Sequence, residues 1–159
     1  MYNGLSRNIE TELIPAIRKF DMRFYAYNPL AGGLLSGKYN DFDQVPTEGR
    51  FKLRPNYQGR YWKKSFFGAL KLLSEECKDH NISLPEAAYR WLSHHSALDE
   101  MKGDGILIGA SKLNHLKMNI EANSHGRLPV SIVNAFEESW SEAKVDSPDY
   151  FRFIPNVKA

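Results

Sequence analysis

The chain has 159 residues, enough for one domain with a sizeable core, and its 42% hydrophobic and 25% charged residues are ordinary for a globular protein. A net charge of +2 gives the composition no need of a nucleic acid or a membrane surface as partner. The single cysteine, Cys77, excludes an intrachain disulfide framework and suits a reducing compartment, the opening MYNGLSRNIE is too polar for a signal peptide, and no apolar run reaches membrane-span length, so the expected location is cytoplasmic.

After a short lead, residues 7–20 are predicted helical, with Ile9, Leu13, Ile17 and Phe20 on one face and Pro15 requiring a kink or a restart near it. Residues 23–27 are strand formers. Asn28-Pro29 breaks that run, and Gly32-Gly33 leads on to Leu34-Leu35-Ser36-Gly37-Lys38. Helix, strand and glycine-rich turn make an α/β rhythm. Glycine backbone can wrap an anion closely with its N–H groups free to point inward, although the same string also fits a buried strand that simply ends in a turn. Residues 39–64 are predicted irregular, because Asp41, Asp43, Pro46, Gly49, Pro55 and Gly59 recur through them. Their second half, RFKLRPNYQGRYWKK, carries Arg50, Lys52, Arg54, Arg60, Lys63 and Lys64 with no acid, interleaved with Phe51, Tyr57, Tyr61 and Trp62. It reads first as a lid over an anionic cofactor, next as a solvated basic loop with its aromatics tucked under, and third as a binder of single-stranded nucleic acid.

Residues 65–80 are predicted helical with Phe66, Leu70, Leu73 and Cys77 in register, the cysteine being a core residue. Ser83-Leu84-Pro85-Glu86 is a capping box that opens a helix burying Leu84, Ala87, Ala88, Trp91 and Leu92. His94-His95 near its end face different directions, and with His80, His115, His125 and Cys77 they make no metal-ligand spacing. Ile106-Leu107-Ile108 is predicted to be a buried parallel strand. Gly109-Ala110-Ser111 turns directly from it into a helix over 113–123, with Leu113, Leu116 and Ile120 toward the core. Strand, turn and helix start make a good anion site; Ser111 either caps the helix or bonds a phosphate oxygen, and Lys112 adds charge. Residues 129–143 form a last helix with Ile132, Val133, Phe136, Trp140 and Ala143 on one side, and the tail's Tyr150-Phe151-Arg152-Phe153 is too aromatic for an ordinary frayed end.

The string AYNPLAGGLLSGKY resembles the seventh strand and following loop of the aldo-keto reductases, closest to the aflatoxin-aldehyde and succinic-semialdehyde reductase branch. GASKLNHLKMN resembles the eighth strand and helix of the same family, and the order and spacing of the two strings agree with it. The resemblance implies an α/β fold, the C-terminal part of a (β/α)8 TIM barrel, with residues 1–159 forming the C-terminal half of an NADPH-dependent oxidoreductase domain. It places Tyr27 against the nicotinamide. It runs Asn28, Pro29, Leu30, Ala31, Gly32, Gly33, Leu34, Leu35, Ser36, Gly37 and Lys38 along the nicotinamide ribose and pyrophosphate. Ser111, Lys112, His115 and Asn119 face the adenosine phosphate end, and Arg50 belongs to the cofactor-covering loop. Tyr57 sits near that lid, and Arg152 matches an arginine that meets a substrate carboxylate. One departure weakens the adenine contact: the position before Asn119 is usually Glu or Gln, and here it is Met118.

The resemblance also implies a gap. Barrels of this kind run to about 250 residues or more, Met1-Tyr2-Asn3 matches the end of the sixth strand, and only two barrel strands follow. The family's catalytic Asp, Tyr, Lys and His lie on the part not represented, so no residue here is assigned a catalytic role. Two parallel strands cannot close a barrel, and their edges and helix faces call for a homo-oligomer or a complementing chain. The implied activity is reduction of small aldehydes to alcohols with NADPH as cofactor, without nucleic acid or membrane as partner. The alternative is a non-catalytic dinucleotide-sensing or regulatory protein on the same scaffold, as the potassium-channel β-subunits exemplify.

Overall fold

The computed structural model describes residues 1–151. In chain order the elements are α1 (Leu13–Lys19), β1 (Tyr25–Ala26), α2 (Arg50–Leu53), α3 (Pro55–Tyr61), α4 (Lys64–Asp79), α5 (Leu84–His94), β2 (Gly105–Ile106), α6 (Leu113–Ser124) and α7 (Val130–Ala143). The segment predicted as one helix over 7–20 divides into a 3₁₀ turn, Asn8–Glu10, and α1. Pro15 falls in the first turn of α1, where its missing N–H forfeits no intrahelical bond, so the restart is the outcome. Phe20 lies beyond the last helical residue and is 71% exposed instead of joining an apolar face.

β1 and β2 are parallel neighbours, Tyr25 opposite Gly105 and Ala26 opposite Ile106. Gly105 N–H donates to Phe24 O at 3.0 Å and Leu107 N–H to Ala26 O at 2.9 Å, while Tyr27 O, pointing to the other edge, accepts from Tyr2 N–H at 3.2 Å. The strand expected over 106–108 is therefore parallel, but it is not buried. Gly105 and Ile106 are half-buried and Leu107 is 54% exposed, because a sheet of two strands offers nothing to cover that side among the described residues. Asp104 fastens the start of the pair. Its carboxylate accepts from Arg18, from Phe24 N–H at 2.8 Å and from Asp99 N–H at 2.9 Å, tying α1 to both strands.

α4, α5 and α7 follow the sequence periodicity closely. Phe66, Leu70, Leu73 and Cys77 of α4 are buried, and α4 packs along α7, which brings Ile132, Phe136 and Ala143 inward. Ser139 Oγ donates to Ala69 O at 3.0 Å across this contact. The lead packs tightly here too: a Cβ on Gly4 would stand 2.5 Å from the Phe136 ring. α5 buries Leu84, Ala87, Ala88, Trp91 and Leu92, the predicted stripe, and Ser83 Oγ accepts from Glu86 N–H at 3.3 Å as the predicted cap. Each large side chain so buried contributes on the order of 1.5–3 kcal/mol.

Residues 39–64 are more ordered than their composition predicts, for they contain α2 and α3. Helices this short gain nothing from propensity and need tertiary support. Edge-to-face ring pairs provide it: Tyr39–Phe51 at 5.2 Å, Phe51–Trp62 at 5.1 Å, Tyr39–Trp62 at 5.5 Å and Trp62–Phe67 at 4.8 Å. Trp62 Nε1 donates to Phe42 O at 2.8 Å. The predicted inward face of α6 is corrected. Leu113 is 67% and Ile120 54% exposed, Leu116 is half-buried, and Asn119 and Ala122 turn inward, because α5 is the partner of α6 and meets its other side. The tail is anchored, Tyr150 OH donating to Glu12 Oε2 at 2.8 Å. Arg152 and Phe153 lie outside the described residues.

Candidate functional site

Parallel pairing decides where the two glycine-bearing turns go. The chain leaves both strands at the same end, so the turn after β1 and the turn after β2 open side by side. Tyr27 follows β1 and is 41% exposed on this lip.

Asn28 organises the first turn. It adopts a left-handed backbone, its Oδ1 accepts from Gly32 N–H at 2.8 Å, its Nδ2 donates to Tyr61 OH at 2.5 Å, and its carbonyl accepts from Ala31 N–H at 3.0 Å. The N–H groups of Gly33 and Leu35 both reach Leu30 O. The expectation that the glycine pair leaves its N–H groups free is thus corrected: those of Gly32 and Gly33 hold the turn itself. Pro29, Ala31, Leu34 and Leu35 are buried, so their side chains belong to the core, while Leu30 is half-buried against it. The open part of the turn comes later. Gly37 has a left-handed backbone with free space beside its Cα, Lys38 is exposed, and Ser36 Oγ is buried without a partner among the described residues.

The basic segment folds over the first half of the turn. Tyr57 and Tyr61 lie directly over Gly32, and the Arg50 and Arg60 guanidinium groups stand 5.1 and 5.7 Å from the Tyr57 ring. Arg50 and Tyr57, singled out in the sequence, are therefore one unit. Arg60, which sequence reading did not separate from its basic neighbours, joins them because it sits three residues after Tyr57 on α3, on the same helical face. Phe51, Tyr61 and Trp62 are buried, which leaves the basic segment no row of exposed rings on which bases could stack.

At the second turn Ser111 and Lys112 are exposed and α6 begins at Leu113. Ser111 does not cap the helix; Lys112 occupies that position without a side-chain bond, so the first N–H groups of α6 have no side-chain acceptor. His115 is half-buried and Asn119 buried on the side toward α5. A groove of about 380 Å³ opens beside the end of the first turn. Ser36 and Gly37 form one end and Met118 of α6 another, with Ile82, Leu84 and Pro85 as apolar wall and Lys78 at the margin. A second groove, about 420 Å³ between α4 and α7, carries Glu75, Glu76, Asp79 and Glu138 and repels anions.

None of the buried tyrosines is tuned as an acid for neutral pH. Burial holds Tyr2 and Tyr61 far above the usual phenol range and pushes Tyr89 up to about 12, and it raises the Cys77 thiol to about 12. Among the described residues no group of three His, Cys, Asp or Glu side chains could hold a metal ion, and no helix is long and apolar enough to cross a membrane. The arrangement is thus one of positioning: cations and backbone donors at the two turns, and an apolar-walled groove beside the first.

Comparison with known proteins bears on this geometry. Residues 1–141 match the Aldo/keto reductase family. The rat aflatoxin B1 aldehyde reductase member 2 is 43% identical over 161 aligned residues, covering 96% of this chain and 44% of the rat protein. The human protein of that name is 42% identical, with 96% and 45% covered. In structure the chain is similar to the glycerol dehydrogenase of Gluconobacter oxydans, with a TM-score of 0.66 at 20% identity over 96% of this chain and 44% of that one, a likeness of fold. The chain spans about half the length of the curated relatives it matches.

Proposed function

The chain belongs to the aldo/keto reductase family, and on that premise we propose that it is the dinucleotide-binding half of an NADPH-dependent reductase that converts aldehydes to alcohols. One observation carries the reading: the parallel pairing of β1 with β2 brings the two turns to one edge, and a groove runs from Ser36 and Gly37 of the first turn to Met118 on the helix that follows the second. The donor set fits the group. Lys38, Arg50, Arg60 and Lys112 are cations around the turns, and no carboxylate lines the groove, as a polyanionic dinucleotide requires. When bound, the cofactor would supply the hydride.

The chain's own residues would then do the following. Ser111, Lys112 and the first N–H groups of α6 hold the ribose 2′-phosphate, with His115 beside them. Gly37 and Lys38 receive the pyrophosphate, and the groove wall of Leu84, Pro85 and Met118 seats the base without the carboxylate or amide that usually meets adenine. Tyr27 positions the nicotinamide at the lip. Arg50 and Arg60, braced on Tyr57, close the lid and exclude water. Arg152 would meet a substrate carboxylate, which favours small carboxylated aldehydes. Proton donation to the carbonyl is left to residues beyond this chain. No observation favours the dinucleotide-sensing alternative.

Quenching of tryptophan fluorescence by NADPH tests the reading. NADPH is expected to bind at least about tenfold more tightly than NADH, and Lys112→Ala to remove most of that difference, in line with about 1.5–3 kcal/mol for a charge-assisted hydrogen bond. Equal affinity for both dinucleotides, or no quenching by either, would sink it.

A further inference from the structure

The link from α6 to α7, residues 125–128, is tied to α5 through Glu86, Arg90, His94 and His95. Arg90 donates from Nε to Gly126 O and from Nη2 to Arg127 O, both at 2.7 Å, and from Nη1 to Glu86 Oε1 at 2.8 Å. His94 Nε2 lies 2.7 Å from His125 O, and His125 Nδ1 lies 3.0 Å from Glu86 Oε1. Leu128 N–H donates to His95 Nε2 at 2.9 Å, and Leu128 itself is buried in the core.

These bonds differ in what a proton does to them. A guanidinium keeps its donors at any relevant pH. His94 faces a carbonyl and donates whether neutral or charged, and a charged His125 meets Glu86 more strongly. His95 is the exception, because it accepts: its Nε2 must keep a lone pair, so the ring must be neutral. Its surroundings are cationic. Arg127 Nη2 on the strap lies 3.4 Å from its Nδ1, and Arg90 and His94 approach from α5, while Glu86 is already engaged by Arg90 and His125. Burial, then Arg127, His94 and Arg90, hold the His95 pKa below its ordinary 6.5.

We propose that residues 125–128 form a proton-operated latch: neutral His95 holds the Leu128 N–H against the end of α5, and protonated His95 releases it while Arg90 keeps its grip on Gly126 and Arg127. The strap then hinges and does not detach. The end of α6 and the start of α7 lose a shared anchor, and Ser93 Oγ, bonded to Asn123 Oδ1 at 2.6 Å, remains to hold α6 on α5.

Amide hydrogen exchange of the full chain, followed by NMR at about pH 7.5 and at a lower pH where the His95 ring resonances show it charged, tests this. The protection factor of the Leu128 amide is expected to fall about tenfold at the lower pH, the worth of one hydrogen bond, while that of Ala87, bonded to Ser83 O at the start of α5, holds. In His95→Gln an amide oxygen can accept the same N–H at either pH, and protection should stay high at both. In the unaltered chain the His95 ring resonances should titrate with the same midpoint as the loss of Leu128 protection. Protection of Leu128 that does not change with pH, an equal acid loss in His95→Gln, or a midpoint unrelated to that of the ring would each overturn the latch.

Discussion

Gly32 is the residue on which the first turn depends. Its φ of +72° is the left-handed conformation that side chains rarely adopt, and an added Cβ would meet Tyr57 at 2.8 Å and Tyr61 at 3.1 Å. Gly32→Ala combines backbone strain with a clash against two rings, one of them buried. Urea denaturation should show a loss of about 2–4 kcal/mol; a change below about 0.5 kcal/mol would mean that Tyr57 and Tyr61 do not press on the turn. That Gly32-Gly33 marks a special backbone was legible in the sequence. That its N–H groups serve Asn28 and Leu30 was not, because the acceptors are set by the curl of the turn and not by residue type. Ser111 gives a similar lesson: its place before a helix suited a cap, yet the helix starts one residue too late for it.

At the scale of elements, Asp104 is the joint between α1, β1 and β2. Burial opposes its charge, but Arg18 and the N–H groups of Asp99 and Phe24 outweigh that and hold its pKa below the ordinary 3.8. A depressed carboxyl pKa stabilises the folded chain fully above the unfolded value, and that contribution disappears as pH falls from about 3.8 through the folded value. Asp104→Asn strands the Arg18 charge, whose side chain is largely buried, and should cost about 3 kcal/mol at neutral pH. Chemical denaturation from about pH 7 down to about pH 3 should find the variant less stable at the top and its acid slope shallower; identical slopes would assign the acid sensitivity elsewhere. Elements stabilised locally were the ones sequence reading found. The Ser83 cap and the α5 stripe need only neighbours within the same helix. α2 and α3 were missed because ring contacts from Tyr39 to Phe67 sustain them, and no local pattern announces such contacts. In α6 the period was right and the face was wrong, since periodicity identifies an apolar side without saying whether a partner covers it.

For the whole molecule, two paired strands leave Tyr25, Leu107, Phe20 and Met22 exposed around the sheet. An apolar surface of this kind beside an open sheet edge invites association. Sedimentation velocity of the chain alone should show concentration-dependent self-association, and Leu107→Lys should shift it toward monomer while changing stability by less than about 0.5 kcal/mol. A chain that stays monomeric at every concentration would show that this surface is tolerated in water. The barrel-like likeness was legible from two short strings, but their juxtaposition was not, for it depends on pairing between distant segments. Phe24 and Asp104, which close that pairing, stand 80 residues apart in the chain and meet through a ladder only two residues long. The α4–α7 contact closes a loop of similar size but buries a helix face, so the strand pairing, with so brief a reward, is expected to form after it. The newly synthesised chain would therefore gain its helices well before it gains its lip, and a ligand gripping both turns would act chiefly as a brake on unfolding.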